Sequence, residues 1–370
     1  MKKKHLIILA GPLDNQNAGV HRVTYEIIKG LHDMSECLFD ITLIRDRDDG
    51  QFPKFKTAKI PLFKKLPGFQ SFRLFFIVPL YCILKKADVV FEPAHFGPFN
   101  LPKKIKRVTF IHDLTPILFP QFHTFNGAYL QKIFLPRILK KTDLIIANSN
   151  NTANDIKKQY PFTKDKVQKI YLGVSDLFKP LNNPEVLEKL KITQPYFLSV
   201  STIEPRKNIE TLLEAFRLYK EEKLGPEKLV LVGGKGWKNN AIYSKINDHP
   251  NVNEIILPGF VTNEELIQCY SQCNAFIYPS IYEGFGLPLI EAAVCGAPLV
   301  VANNSSLKEI TPFKELLFET LNAEDLKEKM SLSKQVKPNQ EFIDSIRSKY
   351  NWKKFVTEFT DSISSLFKQN

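Results

Sequence analysis

The sequence is poor in several things that would mark other kinds of protein. It holds five cysteines in 370 residues, at positions 37, 82, 269, 273 and 295. An odd, scattered set builds no disulfide framework, and Cys269 with Cys273 lacks the further histidine or cysteine pair of a zinc site. A reducing, cytoplasmic setting and no metal are expected. No apolar run approaches the roughly 18 residues of a spanning helix, the nearest being Leu74–Leu84. The opening Met1-Lys2-Lys3-Lys4-His5 followed by Leu6–Ala10 imitates a secretory signal, but the run stops at Gly11-Pro12 and reads better as a first buried strand. Internal repeats and low-complexity tracts are missing. Acidic charge is also scarce, 39 Asp and Glu against 51 Lys and Arg, which leaves a net charge of +12 and calls for an anionic partner.

Core material is plentiful, with 44% hydrophobic and 12% aromatic residues. The length suits two domains. Short apolar runs alternate with longer amphipathic segments, the pattern of parallel sheets with crossover helices. Strands are predicted near 5–10, 39–44, 87–91, 107–111, 143–147 and 168–172, then near 196–201, 229–233, 253–257, 274–278 and 298–302. Two doubly wound sheets accommodate them better than one. Strand and helix signals lapse from Gly173 to Pro180, so domains are expected at 1–180 and 181–350, with an amphipathic closing helix, Trp352 to Phe367, within 351–370.

The positive charge is concentrated. Residues 50–87 carry eight Lys and Arg, eight aromatics and no acid, and residues 50–142 hold sixteen basic against three acidic residues. Three readings stay open for this stretch: a solvated face over core phenylalanines, a surface for anionic lipid headgroups, or a nucleic-acid surface. No nucleic-acid recognition motif accompanies it, and nucleic acid is the least favoured. Asp46-Arg47-Asp48, which imitates a metal-binding triplet, lies in a charged run ending in Asp49-Gly50 and reads as a solvated turn.

Chemistry is concentrated between Tyr278 and Pro298. A strand runs into a glycine-bearing turn, and Pro288 stands where the first turn of a helix tolerates it. The helix should end at Cys295, with Gly296 as a left-handed cap and Pro298 blocking continuation. The backbone N–H groups of Phe285, Gly286 and Leu287 are placed to face an anion, and the glycines permit a phosphate to approach. Glu283 in the turn and Glu291 in the helix can then hold hydroxyls of a nucleotide sugar. Elsewhere, Thr262 with Glu265 three residues on forms a capping-box pattern after Gly259-Phe260-Val261.

Two glutamates eight positions apart around Gly284-Phe285-Gly286-Leu287-Pro288 resemble the donor-binding motif of glycosyltransferase family 4, retaining enzymes of the GT-B fold. Ser201-Thr202-Ile203-Glu204-Pro205-Arg206-Lys207-Asn208 is similar to that family's phosphate-gripping loop, particularly in mannosyltransferase-like members. Ile111-His112-Asp113-Leu114, Ala147-Asn148-Ser149, Leu231-Val232-Gly233-Gly234 and Leu257-Pro258-Gly259-Phe260-Val261 match in the same order. The resemblance covers most of the chain from about 105 to 310 and loosens at Thr311-Pro312-Phe313-Lys314-Glu315.

The resemblance implies an α/β GT-B architecture, two Rossmann-like domains facing across a crevice, with the final helix crossing back onto the first. It implies catalytic roles for His112, Glu283, Arg206 and Lys207, and donor binding by Gly19, Gly259, Phe260, Val261, Ser280, Gly284, Phe285, Gly286, Leu287 and Glu291. In that scheme Glu283 contacts the transferred sugar, Glu291 the donor ribose, Arg206 and Lys207 the diphosphate, and His112 a sugar hydroxyl beside developing positive charge. Asp113 reads as a cap for the following turn. The family carries its arginine several residues earlier, where Ser201-Thr202 stand here. Its glycine-rich first loop is thinner here, Asn15-Gln16-Asn17-Ala18-Gly19, with Arg22 a weaker candidate. The implied reaction is metal-free, cofactor-free transfer of a hexose, mannose from GDP-mannose, to a glycan or lipid-linked glycan; the basic and aromatic composition of residues 50–87 adds an anionic membrane surface as an expected partner. A UDP-sugar donor, a nucleotide-sugar epimerase of similar fold and a catalytically silent glycan- or lipid-binding partner are the alternatives.

Overall fold

The computed structural model describes residues 3–14, 18–60, 69–192, 195–311 and 313–368. Asn15, Gln16 and Asn17 of the first loop, Lys64 and Lys65 of the basic stretch, and Pro312 lie outside the described residues. Internal contacts divide the chain into two units, Met1–Gly173 with Asn351–Asn370, and Val174–Tyr350. The division falls at 173/174 and not near 180. The stretch after Gly173 is irregular but packed: Val174 donates to the Tyr350 carbonyl at 3.0 Å, and the buried Phe178 lies 6.3 Å from the Tyr270 ring. Absence of periodicity there reflected a folded coil rather than a linker.

The first unit is built on seven parallel strands: β1 (Lys4–Leu9), β2 (Phe39–Arg45), β3 (Lys56–Lys59), β4 (Val89–Glu92), β5 (Lys106–Ile111), β6 (Leu144–Ala147) and β7 (Val167–Lys169). They are ordered β3-β2-β1-β4-β5-β6-β7. Central strands such as β4 and β6 are buried along their whole length, which is why they read as continuous apolar runs. The helix Trp352–Ser365, opened by the Asn351 side chain accepting from Lys354 N–H, belongs to this unit. Phe359 meets Phe91 of β4 edge-on at 4.8 Å, and a Cβ on Gly30 would come within 2.5 Å of Val356 Cγ2. Only glycine permits the helix Ala18–Asp33 to approach so closely.

The second unit has six parallel strands: β8 (Tyr196–Val200), β9 (Lys228–Val232), β10 (Ile255–Gly259), β11 (Ala275–Tyr278), β12 (Leu299–Ala302) and β13 (Leu317–Phe318), ordered β10-β9-β8-β11-β12-β13. Each sheet starts at its centre, winds outward to one edge and then continues on the other side of its first strand. The reversal lies between β1 and β4 in one unit and between β8 and β11 in the other. At such a point the loops leaving neighbouring strands diverge and open a crevice at the carboxyl edge of that sheet.

Candidate active site

In the second unit the loops after β8 and β11 meet at the reversal. The turn Pro205–Lys207 is closed by Asn208 in the left-handed region (φ +55°), and Asn208 Nδ2 donates to the Pro279 carbonyl at 3.0 Å. The Ile281 N–H donates to the Arg206 carbonyl at 2.9 Å. These bonds bring Arg206 and Lys207 against Glu283. Lys207 Nζ lies 2.6 Å from Glu283 Oε1 and 3.4 Å from Tyr278 Oη, and Arg206 Nη1 lies 3.0 Å from Glu283 Oε2. Arg206 also donates to the Tyr282 carbonyl at 2.8 Å and to Glu204 at 3.0 Å.

The cluster therefore holds two cations and two carboxylates. It is not the unopposed pair of positive charges that the sequence suggests for Arg206 and Lys207. Burial disfavours the charged form of Glu283, but Arg206 and Lys207 outweigh it and hold the carboxyl down at about 2. Burial also lowers the Lys207 ammonium, with Arg206 adding to that and Glu283 opposing it. Glu204 and Tyr278 were not anticipated. Glu204 is buried and accepts from Thr202 Oγ1 as well as Arg206. Its only sequence signal was its place in Glu204-Pro205-Arg206-Lys207.

Beyond Glu283 the loop is fastened from the loop that follows β12. Ser305 Oγ accepts from the Glu283 N–H at 3.0 Å, Ser306 Oγ donates to the Glu283 and Phe285 carbonyls, and Asn304 Nδ2 donates to the Ser280 carbonyl. Gly286 (φ +107°) precedes the helix Leu287–Val294, which carries Pro288 in its first turn, Cys295 at its end and Gly296 (φ +85°) after it. This is the punctuation expected from the sequence. Ser280, Gly284 and Phe285 are buried, and the Phe285 ring stands edge-on to Tyr350. Glu291 is buried as well, with Tyr270 Oη donating to it at 3.4 Å.

The loops after β9 and β10 line the same edge. Gly233 (φ +139°) donates to the Gly259 carbonyl at 2.9 Å, Gly259 itself has φ +78°, and Phe260 is 79% exposed with its ring over Gly234. Val261 is half-buried, and Thr262 and Glu265 form the expected capping box.

In the first unit, His112 follows β5 and is half-buried. Its Nε2 donates to the Pro93 carbonyl at 2.8 Å, its N–H donates to His95 Nε2 at 2.6 Å, and the two rings stack at 5.0 Å. Burial and then His95 push the His112 imidazole down to about 3, so it is neutral near pH 7 with Nδ1 as the acceptor. Asp113 accepts from the Thr115 N–H and hydroxyl, the capping role read from the sequence. His95, held at φ +68°, completes this pair, and Glu92 ends β4 just before Pro93; neither was anticipated. Gly19 lies within the helix Ala18–Asp33, where a Cβ would meet nothing within 4 Å, so space does not demand glycine there.

One other expectation is corrected. Arg73 is no part of a basic surface: it is buried, donating to the Ile60 carbonyl at 2.8 Å and pairing with Asp46 at 3.1 Å. Asp46-Arg47-Asp48 is the solvated turn expected at Arg47 and Asp48, which are exposed, while Asp46 is half-buried with its N–H bound by Asp14. Among the described residues no group of three or more His, Cys, Asp or Glu is arranged to hold a metal. Burial pushes the thiols of Cys82, Cys269 and Cys295 up to about 12.

Two family models divide the chain between them, "Glycosyltransferase Family 4" over residues 17–176 and "Glycosyl transferases group 1" over residues 183–347. The chain belongs to glycosyltransferase family 4. Among curated family members, O-antigen chain mannosyltransferase B of Escherichia coli is 33% identical over 222 residues, 58% of each chain. The chain spans less than two thirds of the length of the first curated relatives it matches. Among solved structures, a glycosyltransferase from Rickettsia africae superposes with a TM-score of 0.73 at 16% identity over all of both chains. Anabaena HepE, in complex with UDP and glucose, gives 0.72 at 16% over 98% of this chain and all of that one. These establish two GT-B-type α/β domains for this family member.

Proposed function

We propose that the protein transfers a hexose, mannose from GDP-mannose, to a glycan or lipid-linked glycan in the assembly of a cell-surface polysaccharide, with retention of configuration and without a metal. The observation that carries this reading is the cluster of half-buried Arg206 with buried Lys207 and Glu283 at the carboxyl edge of the second sheet, in the loop before the helix that carries Glu291. The mannosyltransferase name of the Escherichia coli relative supports the choice of sugar.

In this reading the leaving diphosphate meets Lys207 and Arg206 and the amino end of the helix Leu287–Val294. An ammonium has three donors, and Lys207 directs them to Glu283 and Tyr278 with one left for a phosphate oxygen. Cations already held in place by Glu283 and Glu204 need little reorganisation as charge develops on the leaving group. Glu283, fully ionised, accepts from hydroxyls of the transferred sugar, and Glu291 from the ribose. His112 contributes a neutral imidazole whose Nδ1 can accept a hydroxyl proton or face developing positive charge. Its Nε2 is committed to Pro93. No side chain is assigned as a covalent nucleophile.

The test is a thermal-shift panel of GDP, GDP-mannose, UDP and UDP-glucose on the wild type and on Glu291→Gln, which keeps the side-chain shape but removes the charge. GDP and GDP-mannose are expected to raise the melting temperature, and the variant to need about tenfold more ligand, a loss of about 1.4 kcal/mol. A shift by the UDP compounds alone overturns the assigned donor. No shift with any nucleotide moves the silent-partner reading ahead of the enzyme.

A further inference from the structure

The segment containing Leu74–Leu84 is helical from Phe69 to Leu84, with a π-helical turn at Arg73–Ile77. One side of it is anchored. Val78 and Cys82 belong to a core cluster with Ile7, Ile44 and Val90, Arg73 turns inward to Asp46, and Phe75 stacks on Phe99 at 4.2 Å. The other side carries Phe72, Phe76, Leu80 and Leu84 at a strict spacing of four, all exposed, Phe76 to 60% and Leu84 to 70%. In a regular α-helix a four-residue step drifts around the axis, and the wider π turn takes up part of that drift. The four side chains therefore form a stripe that the described residues of this unit leave exposed.

A second helix, Phe125–Lys141, lies alongside. Its Phe134 meets Phe75 at 5.6 Å, and it adds exposed Tyr129 and Leu130. Neither helix contains an Asp or Glu. Exposed Lys85 and Lys86 follow the first, and exposed Lys132, Arg137, Lys140 and Lys141 stand on the second. Large exposed apolar patches mark interaction sites rather than ordinary surface.

We propose that this two-helix face docks on the surface of an anionic lipid bilayer, with the stripe Phe72–Phe76–Leu80–Leu84 entering the headgroup–acyl boundary and the flanking lysines meeting the lipid charge. Charge complementarity selects the occupant. A second copy would set the same basic rim against itself, and nucleic acid would leave the apolar stripe bare, whereas an anionic bilayer satisfies both components. Among the described residues no helix is long and apolar enough to cross a membrane, so the contact is an interfacial one. The proposal rests on the first unit alone and is independent of the sugar-transfer reading.

The test is co-sedimentation of the full chain with vesicles of phosphatidylcholine, and of phosphatidylcholine with an equal amount of phosphatidylglycerol. The wild type is expected to partition onto the anionic vesicles, more weakly as salt is raised, and Phe76→Ser to bind about tenfold less tightly. Phe76→Trp tests insertion directly: its emission, after subtraction of the wild-type signal from Trp237 and Trp352, is expected to shift to the blue on the anionic vesicles only. Position 76 is exposed, and unchanged circular-dichroism melts confirm that both variants fold. The proposal fails if the wild type ignores anionic vesicles, if Phe76→Ser binds as the wild type does, or if the Phe76→Trp emission stays put. It also fails if sedimentation equilibrium without lipid shows a dimer that Phe76→Ser abolishes.

Discussion

A residue type was readable from the sequence where the chemistry restricts the choice, and unreadable where burial supplies the property. Glu283 stood out in a glycine-bearing turn before a helix, and Lys207 and Arg206 through a loop that resembles the family's phosphate-gripping motif. Glu92 did not stand out, since its significance comes from the strands on either side of it. It is buried at the end of β4, accepts from the Ala94 N–H at 2.8 Å, and sits with its carboxyl close to Gly97. Burial pushes it up to about 8, against the opposing pull of that hydrogen bond and of Arg73. In the unfolded chain the same carboxyl titrates near 4.5. Between those values the folded state keeps a proton that the unfolded state releases. The contribution of the neutral carboxyl is thus full below pH 4.5 and is lost as pH rises through 8. Glu92→Gln stays neutral and keeps an acceptor for Ala94, so its stability relative to wild type should climb with pH, by at most about 1.4 kcal/mol per unit across that window. Paired thermal melts at pH 5 and pH 8 check it, and a gap that does not change with pH shows that Glu92 is ionised throughout. Glu283 has the opposite sign. Its stabilisation is present above pH 4.5 and is lost as pH falls through about 2.

Elements were legible where their ends are chemically marked. Thr262 with Glu265, and Gly286-Leu287-Pro288 with Gly296, announced two helices to within a residue or two, because caps and positive-φ glycines satisfy backbone groups in few ways. Ten of the thirteen strands were visible as apolar runs, and β7, Val-Gln-Lys, only through the apolar residues that follow it. β3, Lys-Thr-Ala-Lys, was not, because an edge strand needs no apolar alternation and lysines protect its open side. β13 has two residues, too short to show a period. These markers differ in energetic weight. Thr262→Ala removes one side-chain bond to the Glu265 N–H and should cost about 1 kcal/mol. Gly286→Ala places a Cβ at φ +107°, 3.2 Å from Leu307 Cδ2, and should cost about 2 to 3 kcal/mol. Urea midpoints of the two variants provide the comparison. A Gly286→Ala midpoint no lower than that of Thr262→Ala means the turn relaxes and does not depend on the left-handed residue.

For the whole chain, the expectation of two doubly wound sheets followed from the alternation of short apolar runs and amphipathic segments, and both sheets have that form. What the alternation could not reveal is where one unit yields to the other. The chain leaves the first unit at Gly173 and re-enters it at Asn351. At this point Gly173 lies so close to Trp352 that a Cβ would come 2.2 Å from its backbone nitrogen. That contact is formed between residues far apart in sequence and leaves no local pattern. The two units have separate cores, one of strands β1 to β7 with the helix Trp352–Ser365, the other of strands β8 to β13. Apart from Gly19, the residues assigned to donor binding lie in the second. Calorimetry of the full chain is therefore expected to resolve two transitions, of which GDP moves one. At about 100 times its dissociation constant the ligand should stabilise that unit by about 2.7 kcal/mol and leave the other where it was. Lys207→Met, which removes an ammonium paired with Glu283 and proposed to meet the diphosphate, identifies the ligand-sensitive transition as the one it lowers. If GDP raises both transitions equally, or the one that Lys207→Met does not touch, the nucleotide is not held by the second unit alone and the assignment of the donor site to the loops after β8 and β11 is wrong.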